Sequence, residues 1–349
     1  MSPRAGELER GYSVPPILGA DRTPEDRGVP RDQVRLLRSD PWGDAHHRFS
    51  DLTELLDPGD LLVVNESGTL PASLPAVGSP CRFRVSVSTR YGPELWLVEP
   101  RWDFGRPGPV PLRPGEAFEV AGVPVRYLAP FPGVRRLGFL RSLGDLGAAM
   151  RSVGRPIRYG YLAREYPLDT YQTVFARVPG SAEMPSAGRP FTDALVRELR
   201  ARGVEFAPIL LHAGVSSLEV GDIEAGTPPV LPEPFEVPRV TVEAIRRARA
   251  RGRRVIAVGT TVVRALESAA DGCGGLRPAR GFTRLYLRPA RRTRTVDGLL
   301  TGFHEAGSTH LALLSAVAGR ETVQRSYRLA RGGGYLWHEF GDSQLLLAN

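Results

Sequence analysis

Residues 253–270, RRVIAVGTTVVRALESAA, read as a strand, a tight turn and a helix in direct succession. The apolar run Val255-Ile256-Ala257-Val258 is the strand, Gly259-Thr260-Thr261 is the turn, and VVRALESAA places apolar residues at helical spacing. In a parallel sheet, ligands sit beyond the carboxyl ends of the strands, where helix N-termini offer free N–H groups. Gly259 permits close backbone approach, and Thr260 or Thr261 is suited to cap the helix and to offer a hydroxyl. An anionic group such as a carboxylate fits this place, with Arg264 and Glu267 projecting from the first two turns. A threonine-capped helix with no ligand fits the same residues.

Outward from this unit the texture repeats. FTDALVRELRARG predicts a helix from near Thr192 to Gly203, and VEFAPILLHAG predicts an apolar strand. VTVEAIRRARARG predicts a second helix, and FTRLYLRP a strand. Helix and strand alternating over short loops point to a parallel sheet with crossover helices. DPGDLLVVN, before residue 75, is a further buried-strand candidate; HLALLSAVAGRETVQRSYRLA predicts an apolar helix and QLLLA a last strand. Residues from about 80 to about 150 differ. CRFRVSVST, PELWLVEP, EAFEVAG and VPVRYLAP are short runs punctuated by Gly and Pro, the pattern of a small antiparallel sheet or barrel. The expected fold class is therefore α/β: a parallel-sheet α/β domain (1–75 and 151–349) with an inserted small antiparallel β-barrel-like domain (76–150).

The 349 residues, 42% of them hydrophobic, suffice for a sizeable core. Two cysteines, Cys81 and Cys273, lie in no metal-ligand spacing, so neither a disulfide framework nor a zinc ribbon is expected. The polar start lacks an apolar signal region, and no apolar run approaches the roughly 18–20 residues of a bilayer span. A cytoplasmic location without membrane attachment is the expectation. The formal charge is +8, and all 46 basic residues are arginine. With no lysine, a pyridoxal-phosphate Schiff base, a Walker A loop and a protein kinase site are excluded. The densest basic run, Arg246, Arg247, Arg249, Arg251, Arg253 and Arg254, falls mostly on the wet face of its helix. The charge permits an RNA partner without requiring one.

Three further places could carry chemistry. His212 stands with Gly214 at the end of a predicted strand, a position suited to acid–base work and equally to a structural histidine. His304 precedes Ser308 and Thr309, either of which could be a plain N-cap. The small-residue loop 180–188, with Pro185, Ser186 and Gly188, suits close approach to a ligand or a plain connection. The six histidines form no metal-binding pattern, and neither GxGxxG after a strand nor GxSxG is present, so a metal, a dinucleotide and a hydrolase elbow are not expected.

The order of these segments is more specific than any one of them. Phe49-Ser50-Asp51-Leu52, Pro58-Gly59-Asp60 through Asn65, Tyr171-Gln172-Thr173-Val174-Phe175 and Pro185-Ser186-Ala187-Gly188 come first. Leu211-His212-Ala213-Gly214, Val258-Gly259-Thr260-Thr261 with Arg264-Ala265-Leu266-Glu267-Ser268, Val296-Asp297-Gly298, Phe303-His304, Ser308-Thr309 and Phe340-Gly341-Asp342 follow. Nearly end to end, this succession resembles the S-adenosylmethionine:tRNA ribosyltransferase-isomerase family of queuosine biosynthesis. The resemblance implies transfer of the ribosyl part of S-adenosylmethionine to the aminomethyl group of a 7-deazaguanine in tRNA. The sugar rearranges to an epoxycyclopentanediol, and adenine and methionine leave. It implies S-adenosylmethionine as co-substrate, no metal, and tRNA as a partner; it says nothing of oligomeric state. By resemblance, Gly259, Thr260, Thr261, Arg264 and Glu267 hold the donor together with Pro185, Ser186, Gly188, Gly214, Ser308 and Thr309, while His212 and His304 are the acid–base candidates.

Several positions depart from the family pattern. Glu66-Ser67-Gly68 and Pro71-Ala72-Ser73 stand where the family ends each triplet in arginine. Gly188-Arg189-Pro190-Phe191 lacks the family's histidine, Gly302 replaces an asparagine, and Glu305-Ala306-Gly307 replaces Leu-Pro-Arg. Two alternatives follow: a divergent paralogue using S-adenosylmethionine on a small-molecule acceptor, and a non-catalytic S-adenosylmethionine-binding protein.

Overall fold

A computed structural model of the chain describes residues 14–78, 82–102, 110–158, 160–215, 231–271, 275–287, 292–305 and 308–348. Both cysteines lie outside the described residues, as do Ala306 and Gly307.

Apolar strands need covers on both faces, and the sheet obtains them. Its nine described strands run in the order Ala279–Thr283, Glu233–Val237, Glu205–Leu211, Leu61–Asn65, Val255–Val258, Gly298–Gly302, Ser343–Leu347, Arg35–Asp40, Gly43–Arg48. The four from Glu205–Leu211 to Gly298–Gly302 are parallel to one another. Around this core the sheet is mixed: Glu233–Val237 and Ala279–Thr283 add antiparallel on one side. Ser343–Leu347 adds antiparallel on the other, followed by Arg35–Asp40 parallel to it and Gly43–Arg48 antiparallel. A wholly parallel sheet is thus too simple a description. Glu233–Val237 lies antiparallel beside Glu205–Leu211, the strand before it in sequence, with no described helix between them to carry a parallel crossover.

Alternate side chains of the central strand divide between two cores. Leu61 and Val63 pack with residues of the helices Arg239–Ala250, Thr260–Ser268, Thr309–Ala318 and Arg320–Gly332. Leu62 and Val64 pack with Phe49, Phe191, Leu195 and Leu199 on the opposite face. The apolar segment expected as one C-terminal helix is two, because Gly319 at φ 84° interrupts it. The strand expected in FTRLYLRP lies earlier, at Ala279–Thr283.

The six strands Ser73–Val77, Arg82–Arg90, Leu95–Trp102, Ala117–Val120, Val123–Pro130 and Gly138–Ser142 close into an antiparallel barrel. Leu74, Val85, Val98, Val120 and Leu140 fill it, and Trp96 donates its Nε1–H to Ser142 Oγ at 3.1 Å. Closure leaves no unpaired strand edge. The arginines of the run 246–254 are largely engaged locally: Arg251 with Glu205, Arg254 with Asp57 and Asp60, Arg246 and Arg249 with carbonyls. Among the described residues no helix is long and apolar enough to cross a membrane.

Candidate functional site

The turn after Val255–Val258 organises the site. Gly259 sits at φ 97°, a conformation that side-chain-bearing residues avoid, and donates its N–H to Leu300 O at 2.8 Å. A Cβ there would stand 3.3 Å from Ala187 Cβ, so the glycine lets the 3-10 turn Ser186–Gly188 press against the helix start. No threonine caps this helix: Gly259 is the N-cap, and Thr260 and Thr261 are its first residues. Thr261 Oγ1 instead accepts from Asn65 Nδ2 at 3.3 Å, which ties the turn to the neighbouring strand.

A cavity of about 460 Å³ opens beyond this rim, within the range of small-molecule sites. Gly259, Thr260, Thr261 and Arg264 line one side, Pro185 and Ser186 another, and His304 and Ser308 a third. The barrel contributes Glu99 and Arg101, with Arg136 nearby, so both parts of the fold form the walls. Arg264 is held by an ion pair to Glu233, whose other oxygen accepts from Gly214 N at 2.8 Å. The Nε and Nη2 of Arg264 are buried and have no hydrogen-bond partner among the described residues, and the same is true of Ser308 Oγ. Buried donors without partners are costly, so a cavity bordered by them is suited to an acceptor-rich ligand.

Histidines gather on the far wall. His304 and His310 stack with centroids 4.5 Å apart and rings 9° from parallel, and His304 Nε2 lies 3.1 Å from Thr301 Oγ1. Enclosure away from water, with the neighbouring imidazoles, holds His304 well below the usual imidazole range. Enclosure and the Arg264 cation bring His310 down to about 4. His338 is held down to about 3 by enclosure and by His310, and its Nδ1 meets the Tyr161 hydroxyl. All three are neutral near pH 7 and can accept a proton.

His338 and Glu339 reach the cavity on a turn built by Phe340-Gly341-Asp342. A Cβ on Gly341 would lie 2.4 Å from Leu336 O, so the turn closes only around glycine. Asp342 accepts from Leu336 N and pairs with Arg35 at 2.6 Å. His338 takes φ 83°, rare outside glycine, and is pinned by the bond from Gly341 N to its carbonyl.

Five of the expected site residues are not among those lining the cavity. His212 turns behind it, with Nδ1 2.7 Å from Ser67 Oγ, which is 2.6 Å from Ser181 Oγ. Burial lowers its pKa. Glu267 anchors the segment at 294–295, accepting from Arg294 N, Thr295 N and Thr295 Oγ1 within 3.0 Å. Gly214 supports Glu233, Gly188 closes the 3-10 turn, and Thr309 opens the helix behind Ser308. Conversely, Tyr161, Glu183, Glu233, His310, His338 and Glu339 line the cavity without having stood out singly in the sequence. Only the Phe340-Gly341-Asp342 resemblance pointed near the last two. Among the described residues no cluster of three or more His, Cys, Asp or Glu could hold a metal ion.

Comparison with known proteins covers nearly the whole chain. The family model described as queuosine biosynthesis protein matches residues 10–346. The S-adenosylmethionine:tRNA ribosyltransferase-isomerase of Thermus thermophilus is 39% identical over 348 residues, covering 96% of this chain and 98% of that protein. The enzyme of the same name from Moorella thermoacetica is 38% identical, covering 97% and 99%. The crystal structure of S-adenosylmethionine tRNA ribosyltransferase from Thermotoga maritima superposes with a TM-score of 0.53 at 28% identity, covering 98% of this chain and all of that one. A family model spanning nearly every residue, with relatives of this identity over their full length, makes the chain a member of the queuosine biosynthesis protein family.

Proposed function

We propose that this chain transfers and isomerises the ribosyl moiety of S-adenosylmethionine onto the aminomethyl group of a 7-deazaguanine base in tRNA. Epoxyqueuosine forms, and adenine and methionine are released. The full-length relatives bearing that enzyme name support the reading. The single structural observation that carries it is the state of Arg264: ion-paired on one side, with two buried guanidinium nitrogens that have no partner among the described residues, on a side chain lining the cavity. A carboxylate is the natural complement of such a fork, and the methionine end of the donor supplies one. The helix start at Thr260 adds N–H groups and the positive end of its dipole.

The chemistry requires proton abstraction beside the sulfonium, protonation of departing adenine and positioning of the amine. Neutral His304, oriented by Thr301, is suited to the first, with His310 stacked on its face and His338 lining the same cavity. His212 acts through the wall it supports and not on the reacting atoms. A tRNA substrate places this work in the cytoplasm.

A second reading, an acceptor other than tRNA, is favoured by Gly68 and Ser73 standing where the family carries arginine. Arg84 of the barrel reaches the second position, donating to Ser73 Oγ at 2.9 Å, and so offers a guanidinium there by another route. Mass spectrometry of the protein incubated with S-adenosylmethionine, with and without tRNA carrying the aminomethyl base, separates the readings. Release of adenine and methionine coupled to an epoxide-bearing nucleoside is expected. Donor breakdown that leaves the tRNA unmodified would overturn the tRNA reading in favour of the second.

A further inference from the structure

We infer that Glu339, with Glu183 beside it and the Tyr161 hydroxyl on one of its oxygens, is the specificity-determining group that receives the acceptor's aminomethyl group as an ammonium ion. The inference rests on the cavity being the transferase site. It concerns acceptor selection, which neither Arg264 nor the histidines explain.

The cavity is electrically divided. Arg264, fixed by Glu233, presents a cation at the helix start. Glu183 and Glu339 line the same cavity and also a narrow crevice leading from it toward Thr69 and Tyr171. Tyr161 donates to Glu339 Oε2 at 3.5 Å and also meets His338 Nδ1, which orients the phenol beside the carboxylate. Among the described residues Glu339 forms no ion pair. Arg189, whose field reaches it, is committed to Glu25 at 3.0 Å and to Thr170 O. Enclosure and the Glu183 charge push the Glu339 carboxyl up to about 8, against the smaller opposing pull of the Tyr161 hydrogen bond and the Arg189 field. A carboxylate pair enclosed with aromatic side chains, and with no protein cation on Glu339, is complementary to a compact primary ammonium.

The proton balance suits a nucleophile. An alkylammonium binds Glu339 in its carboxylate form, and the empty carboxyl releases one proton to solvent as the ion pair forms. Within the pair, one N–H proton then passes to Glu339; an N–H bond breaks, an O–H bond forms, and the nitrogen lone pair is freed for attack on the sugar. No other reactant is needed. Linkage makes ammonium affinity rise with pH up to about the pKa of the empty group.

Calorimetric titration with free 7-aminomethyl-7-deazaguanine and with its 7-hydroxymethyl counterpart tests this directly. The wild type is expected to favour the amine at least tenfold at pH 8, and to bind it at least tenfold more weakly at pH 6. Glu339→Gln, close to isosteric, is expected to bind both bases alike at both pH values while keeping wild-type affinity for S-adenosylmethionine, which reports an intact fold. Glu183→Gln should reduce the preference partially. A wild type that does not distinguish the two bases, or a Glu339→Gln protein that still does, would overturn the inference. Because these are binding measurements, absence of tRNA modification would defeat the proposed reaction and leave the ammonium preference standing on its own result.

Discussion

Arg264 shows how one side chain can be fixed and still be available. Glu233 holds Nη1, Gly214 N–H holds Glu233, and the remaining nitrogens have no partner among the described residues. Lysine at this position would keep the charge opposite Glu233 but lose the planar fork. Arg264→Lys is therefore expected to weaken S-adenosylmethionine by about 10- to 100-fold, the worth of a charge-assisted hydrogen bond, while affinity for 5′-methylthioadenosine, which has no carboxylate, stays unchanged. Calorimetry with the two ligands checks it; equal loss for both would remove the carboxylate from Arg264. The sequence made this residue legible because it follows the strand–turn by a single helical turn. Glu267, three residues further, was legible only as a neighbour. It stands about 4.5 Å further along the helix axis, and its carboxylate faces the chain at 294–295. His310, His338 and Glu339 were not legible as a group, since His310 and Glu339 lie on separate elements and meet only across the cavity.

At the scale of elements, the strand–turn–helix around Gly259 combines backbone strain and ligand access in one place. Alanine at φ 97° carries a penalty of about 1–3 kcal/mol, and its methyl would press on Ala187 at 3.3 Å. Gly259→Ala is expected to lose about that much unfolding free energy in urea and, by displacing Ser186–Gly188, to weaken the donor as well. Wild-type stability with wild-type donor affinity would show that neither the turn nor its contact matters. Periodicity disclosed three of the four parallel core strands and four of the six barrel strands, because those segments bury themselves by local pattern; Gly298–Gly302 stood out only through the family resemblance. The flanks of the sheet were hidden: Arg35–Asp40 and Ser343–Leu347 pair in parallel across about 300 residues of chain, and no local signal fixes such a partner. Gly319 alone divides the last apolar segment, and spacing on either side gave no hint of it.

For the whole molecule, the cavity sets opposing pH dependences. His304, His310 and His338 have folded pKa values below the ordinary 6.5, so the unfolded chain binds more protons than the native one as pH falls below that value. Their stabilising contribution is complete above about pH 6.5 and is lost as pH drops toward 4. Glu25 and Asp26, held below their ordinary values in company with Arg189, Tyr166 and Arg164, act in the same sense at lower pH. Glu339 has the opposite sign. Its folded pKa of about 8 lies above the ordinary 4.5, so the native state holds a proton that the unfolded state has released, and stability declines as pH rises through that interval. Between 4 and 6.5 three imidazoles outweigh one carboxyl; between 6.5 and 8 the carboxyl acts without their opposition. The thermal midpoint of the ligand-free protein is thus expected to peak near pH 6.5 and to decline on both sides. Glu339→Gln should abolish most of the decline from 6.5 to 8 and leave the acid limb in place. Scanning fluorimetry at constant ionic strength decides it, and an alkaline limb equally steep in the variant would mean that Glu339 is not the group whose ionisation the folded cavity resists.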